Sequence, residues 1–211
     1  MYYFLKTIAH VVIFLLTRCQ VEDKENIPGR GPLLVVANHL SVGDPVLLGA
    51  KLGRKVTFMA KEEIFRNWFY NYFVRSFGAF PVYRRRINRD ALYQAGQILK
   101  QGKVLGMFPE GSRSMENILK PAMSGSALIA SINKAPILPV GIIGSEKIRG
   151  GVGWIWHRPR VTLVIGQPFY LPVLEHGMKK GQLGESTEII MKQIARLLPE
   201  KYRGGYSGGK T

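Results

Sequence analysis

The sequence predicts an α/β protein: a single domain with a mixed, mostly parallel central sheet flanked by helices, preceded by an N-terminal membrane-interfacial helix. Three observations predict it. Short apolar runs at 33–37, 104–108 and 137–143 read as buried strands. Residues 90–100, 125–134 and 186–198 carry apolar side chains at helical spacing. The two kinds of segment alternate along the chain, which is the pattern of an α/β layer. The 211 residues suffice for one such domain with a real core, and no internal repeat or second domain is visible. The expected organisation is a membrane-associating helix at 1–17, the folded domain at 18–200 and a flexible tail at 201–211.

Residues 1–17 form a strongly apolar helix candidate interrupted by Lys6 and His10. A helix of 17 residues spans roughly 25 Å, just short of a hydrocarbon core of about 30 Å. Three placements compete: a monotopic helix lying in the interface, a short spanning helix, and a core helix folded onto the domain. Tyr2, Tyr3 and Phe4 suit an interfacial position, which favours the first. The stretch around Cys19 is no signal-peptide cleavage site.

Residues 18–22 read as a short strand and 25–32 as a turn-rich connection. The central strand, 33–37, delivers Asn38 and His39. Asp44-Pro45 reads as the start of a short helix, with Asp44 as N-cap and Pro45 at the first helical position. A strand follows at 56–60. Residues 68–77 are dense in aromatics at helical spacing, and either pack in the core or leave an aromatic face exposed. Residues 78–83 read as a strand leading to Arg84-Arg85-Arg86.

The helix at 90–100 buries Leu92, Ala95, Ile98 and Leu99 and ends at Gln101-Gly102. The strand at 104–108 opens into the loop 109–114, and 115–122 is a loop or lid. A compact helix at 125–134 leads to a buried strand ending at Ile143. Residues 144–159 form a Gly-rich loop with Trp154 and Trp156. Residues 160–165 alternate like an outer strand, 174–184 is a linker, and the last helix starts with Ser186 as N-cap.

Net charge is +16, from 30 basic and 14 acidic residues, so the chain attracts polyanions. Nucleic acid, an anionic membrane and an acidic carrier protein all qualify by charge. Zinc-finger spacing and an aromatic RNP-like strand are both missing, so nucleic acid is not expected. The single cysteine, Cys19, excludes an intrachain disulfide and reads as a buried or interfacial apolar residue. No His/Cys/Asp cluster has metal-ligand spacing, so no metal is expected.

The chemistry concentrates in Ala37-Asn-His-Leu-Ser-Val-Gly-Asp-Pro45. A neutral imidazole accepts a proton from a hydroxyl near pH 7 when a carboxylate holds its other nitrogen in one tautomer. His39 and Asp44, with four residues between them, make such a half-triad without a serine nucleophile. Spacing alone favours the plainer reading, a loop histidine and a helix cap, because such pairs are common. The second stretch is Phe108-Pro-Glu-Gly-Ser-Arg-Ser114, where Gly111 lets backbone approach a ligand.

His-x4-Asp after Asn38, followed by Phe-Pro-Glu-Gly-Ser-Arg, resembles the glycerolipid acyltransferase family, and within it the bacterial lysophosphatidic acid acyltransferases. Two weaker motifs follow in family order, Gly78-Ala-Phe-Pro-Val-Tyr-Arg84 and Ile137-Leu-Pro-Val-Gly-Ile-Ile143. The resemblance covers about residues 20 to 170. It implies transfer of a fatty acyl group from a thioester, acyl-CoA or acyl carrier protein, to the 2-hydroxyl of 1-acyl-glycerol 3-phosphate, with no cofactor.

It further implies that His39 is the base and Asp44 its orienting partner, and that Arg84 meets the substrate phosphate through its guanidinium fork. Glu110 and Gly111 then help bind the glycerol-phosphate acceptor, and Arg113 is a second phosphate ligand. Asn38, Ser41, Ser112 and Pro139 support the site, Pro139 on the acyl side, and loop amides near Gly111 are candidate oxyanion donors. The family often has a lysine where this chain has Met123; Lys120 would replace it from another backbone position. The expected partners are an anionic membrane surface, a lysophospholipid and acyl carrier protein. The expected location is the cytoplasmic face of the membrane, in monotopic attachment. Another lysophospholipid acceptor, or a non-catalytic basic lipid-binding role, is the rival reading.

Overall fold

The protein is described from a computed structural model, which covers residues 15–66, 68, 80–82, 89–148, 156–172 and 180–207. Most of the expected N-terminal helix, the aromatic segment after Trp68, Arg84 and Trp154 lie outside the described residues.

The elements alternate as follows: β1 (Arg18–Glu22), β2 (Leu33–Ala37), α1 (Asp44–Lys51), β3 (Val56–Lys61), α2 (Glu62–Arg66), β4 (Phe80–Val82), α3 (Arg89–Lys100), β5 (Val104–Met107), α4 (Gly125–Asn133), β6 (Ile137–Ile143), β7 (Arg160–Ile165), α5 (Lys180–Arg196) and α6 (Glu200–Arg203). The strands form one seven-stranded sheet in the order β1-β7-β6-β2-β5-β3-β4. Every pairing is parallel except β6 with β7.

Strand β2 lies between β6 and β5 and is buried at all five positions, Leu-Leu-Val-Val-Ala. A parallel strand covered on both faces needs such an unbroken apolar run. Its side chains part by alternation. Leu34 and Val36 join Leu105 and Ile137 under the helices α3, α4 and α5, with Ala95, Leu99, Ile129, Ile190 and Ile194. Leu33, Val35 and Ala37 join Leu138, Val140, Leu163 and Phe58 on the other face, under Leu47 and Leu48 of α1. Burying each such aliphatic side chain stabilises by about 1.5–3 kcal/mol.

Because the sheet is mostly parallel, the loops that leave β2, β5 and β6 gather at one edge. The opposite edge is tied by Arg54, whose guanidinium donates to the carbonyls of Pro28, Gly31 and Gly102, the last two in the segments entering β2 and β5.

Several sequence expectations are corrected. Residues 160–165 are not an outer strand: β7 is flanked by β6 and β1, and β1 is the edge. The reason is that the short, half-exposed run 18–22 adds itself beyond β7 in parallel. Asp44 is not an N-cap: Gly43 takes that place, and the Asp44 carboxylate turns back into the preceding loop. Residues 180–184 are helix and not linker, so Ser186 is a buried helix-interior residue instead of a cap. Two glycines suggest a break there, but a Cβ at Gly181 or Gly184 would meet nothing within 4 Å, and Leu183 packs against the core. Tertiary burial overrides the weak propensity of glycine. The chain from 201 to 207 is structured as well, with Tyr202 buried and a further turn at Gly204–Tyr206.

Candidate functional site

Beyond Ala37 the ladder between β2 and β6 is continued by a side chain. The Asn38 amide donates to the Ile142 carbonyl at 2.8 Å and accepts the Ile142 N–H at 2.7 Å, fully buried. This fastens the end of the central strand and sets the direction in which His39 leaves it.

His39 is held from four directions. Its Nδ1 lies 2.8 Å from Asp44 Oδ2. Its N–H donates to Glu110 Oε1 at 2.9 Å, and its carbonyl accepts the Ser114 N–H at 2.7 Å. Its ring stacks on Phe108, with centroids 4.1 Å apart. Phe108 in turn stacks on Phe58 at 5.9 Å, and Phe58 lies where a side chain at Gly106 would stand. The side chain of His39 remains 17% exposed, whereas that of Asp44 is at 0%.

Asp44 Oδ2 also accepts the N–H groups of Leu40 and Ser41, both at 2.7 Å. An oxygen that takes two backbone donors acts toward the imidazole as an acceptor, so Nδ1 donates, and in the neutral ring the lone pair lies on Nε2. A helix start a few residues after a strand end puts the carboxylate under the loop that carries the histidine. Asp44 Oδ1 is buried with no hydrogen-bond partner. The Ser41 hydroxyl is buried and committed, donating to the Ile148 carbonyl and accepting the Gly43 N–H, each at 3.2 Å.

The second loop meets the first through Glu110. One carboxylate oxygen takes the His39 N–H, the other the Lys120 N–H at 3.1 Å. Burial pushes the Glu110 carboxyl up to about 7 against these two bonds and the Lys120 charge; the nearby Asp44 adds to the rise. Gly111, at φ +67°, closes the turn by donating to the Phe108 carbonyl at 2.9 Å, and a Cβ there would lie 2.8 Å from Met123 Sδ. The positive φ is what calls for glycine here, since the exposed Met123 side chain could give way. The Gly111 N–H is thereby spent inside the turn.

Lys120 crosses the mouth of the same loop, its ammonium donating to Ser112 Oγ at 2.6 Å and to the Arg113 carbonyl at 2.9 Å. Arg113 is exposed beside it.

The structure thus brings together Asn38, His39, Ser41, Asp44, Glu110, Gly111, Ser112 and Lys120. Pro139 is buried within β6 and packs against Gly166, whose N–H its carbonyl accepts at 2.9 Å. Arg84 is outside the described residues. Sequence reasoning missed Phe108 and Ser114 as partners of the histidine. The available signal was an aromatic residue closing a buried strand directly before Pro-Glu-Gly. Among the described residues, no group of His, Cys, Asp and Glu could hold a metal ion, and no helix is long and apolar enough to cross a membrane.

The fold and site define an α/β protein with a buried carboxylate behind a partly exposed histidine, at the edge where the parallel strands end and where ligands bind in open α/β sheets. The sequence profile of the acyltransferase family matches residues 18–143. The chain belongs to that family and is an acyl-transferring enzyme. It is 28% identical over 198 residues to the 1-acyl-sn-glycerol-3-phosphate acyltransferase of Bacillus subtilis strain 168, across 93% of this chain and 96% of that protein. It is 34% identical over 137 residues to the enzyme of that name in Streptococcus pneumoniae, across 64% of this chain and 49% of the relative. The crystal structure of the 1-acyl-sn-glycerophosphate (LPA) acyltransferase PlsC of Thermotoga maritima shares the fold. Its TM-score is 0.69 at 24% identity, covering all of this chain and 83% of that one.

Proposed function

We propose that the enzyme moves a fatty acyl group from a thioester, acyl-CoA or acyl carrier protein, to the 2-hydroxyl of 1-acyl-glycerol 3-phosphate, giving phosphatidic acid. The observation that carries the reading is the 2.8 Å contact of His39 Nδ1 with a fully buried Asp44. It leaves Nε2 to take the hydroxyl proton. The substrate oxygen attacks the thioester carbonyl, a C–O bond forms, and collapse breaks the C–S bond. The imidazolium, stabilised by Asp44, returns its proton to the departing thiolate. No acyl-enzyme is needed, and the Ser41 hydroxyl is already committed to backbone groups.

Lys120, Arg113 and Arg84 supply positive charge for the acceptor phosphate, a match of cation to phosphate oxygen. Glu110 serves that site by holding the backbones of His39 and Lys120. Val42, Met115 and Met123, all exposed, project from the loops around His39 and suit contact with lipid. The net charge of +16 draws the enzyme to an anionic membrane, which we place at the cytoplasmic face, with residues 1–17 lying in the interface.

The deciding experiment is a donor and acceptor panel assayed by thiol release, on wild type and His39→Ala. Thiol release with 1-acyl-glycerol 3-phosphate should fall by ~10²–10⁴ in the variant. Full turnover by His39→Ala overturns the mechanism, and preference for another lysophospholipid overturns the acceptor assignment.

A further inference from the structure

After α5 the chain turns back over the loops that frame His39. Tyr202 of α6 is 5% exposed, and two hydrogen-bond paths leave it toward the dyad. Its hydroxyl donates to Glu146 Oε1 at 2.8 Å, in the turn after β6. That turn presents the Ile148 carbonyl to the Ser41 hydroxyl, and the Ser41 N–H donates to Asp44. On the other side, the Tyr202 carbonyl accepts the Leu119 N–H at 2.8 Å. The next N–H, of Lys120, donates to Glu110, which also holds His39. Gly204 brings the strap close: a Cβ there would lie 2.7 Å from the Leu119 carbonyl.

We infer that Tyr202 is a positioning residue for acyl transfer, and that the C-terminal turn at 200–206 is a strap setting the dyad loop and the Lys120 loop against each other. Which catalytic step reads this out rests on the function proposed above. Tyr202 is buried and touches neither His39 nor Asp44 directly, so it acts through other groups. Burial and the Glu146 carboxylate hold its phenol up to about 12, which keeps it a donor at any working pH. Glu146 depends on it in return, because Glu146 Oε2 is buried with no hydrogen-bond partner.

The test uses the full chain and three variants. Tyr202→Phe removes the bond to Glu146 and keeps the ring and the carbonyl. It should lower kcat by about tenfold with acceptor KM little changed, because it loosens the Asp44 side. Gly204→Ala drives a methyl group into the Leu119 carbonyl. It should raise acceptor KM by about tenfold with a smaller effect on kcat, because it displaces Lys120. Glu146→Gln still offers an oxygen to Tyr202 and should retain most activity. In Tyr202→Phe, amide exchange should quicken at 145–148 and at 40–44, well below the unfolding temperature.

Folded Tyr202→Phe and Gly204→Ala with wild-type kcat, KM and exchange overturn the strap, as does a loss confined to melting temperature. If Gly204→Ala does not fold, Tyr202→Phe against Glu146→Gln decides. Should wild type transfer no acyl group to any lysophospholipid, the catalytic reading fails by itself. The strap then stands or falls on whether those two segments loosen together in Tyr202→Phe.

Discussion

His39 is a side chain whose freedom has been removed on every side but one. Asp44 holds Nδ1, Phe108 covers a ring face, and Glu110 and Ser114 hold the peptide on either side of it. Preorganisation of this kind lowers the cost of ordering a side chain when a ligand binds, and suits the base role proposed for His39. Asp44→Asn keeps the shape but presents an amide where three donors converge, which unsettles the tautomer. Turnover is expected to drop by ~10³–10⁴ with the fold retained, measured as kcat beside circular dichroism. Glu110 makes a prediction about pH. Its folded-state value near 7 lies above the ordinary 4.5, so the folded protein binds this proton more tightly than the unfolded chain does. Its contribution to stability is therefore complete below about 4.5 and is lost as pH rises toward 7. The melting temperature of wild type should fall over that window relative to Glu110→Gln, in a pH series of thermal melts; parallel curves contradict the assignment.

At the scale of elements, β5 explains how a strand far along the chain shapes the histidine. Gly106 leaves the space that Phe58 fills, Phe58 stacks on Phe108, and Phe108 stacks on His39. Gly106→Val should destabilise by about 1–3 kcal/mol through overpacking, read as a lower denaturant midpoint. It should also lower kcat in the folded fraction if His39 acts as proposed, because the displaced ring is part of the stack behind its imidazole. Helix α5 makes the opposite point. Gly184 lies in its interior, a Cβ added there would meet nothing within 4 Å, and its φ is not positive. Gly184→Ala should therefore stabilise by about 0.5–1 kcal/mol, seen as a raised denaturant midpoint with activity unchanged.

For the whole molecule, the parallel order around β2 collects the loops after β2, β5 and β6 at one edge, and the Arg54 clamp secures the other. The candidate site and the Arg54 clamp thereby lie at opposite ends of the sheet. The excess of positive charge gives the enzyme a long-range attraction to an anionic surface, which salt screens over a length of about 10 Å at 0.1 M. Binding to anionic vesicles should weaken steeply between low and high salt, while binding to neutral vesicles should change little. Deleting residues 1–17 should abolish the salt-resistant part; retained vesicle binding in 0.5 M salt, a strength chosen at roughly three times physiological, sinks the interfacial role proposed for that segment.

Local features were legible because their causes are local. An unbroken apolar run specifies the buried central strand, and a five-residue offset across a strand-to-helix turn makes Asp44 a candidate partner that the fold then puts 2.8 Å from His39. The tertiary structure alone decided which distant groups complete the site. Glu110 meets a backbone N–H 71 positions away, Asn38 meets Ile142 across 104, and Tyr202 reaches Glu146 across 56. It also decided that β1 covers β7, and that α5 runs through two glycines. Spacing along a chain determines contacts within one turn, whereas contacts between turns depend on sheet order and register, which are set by the burial of the whole core.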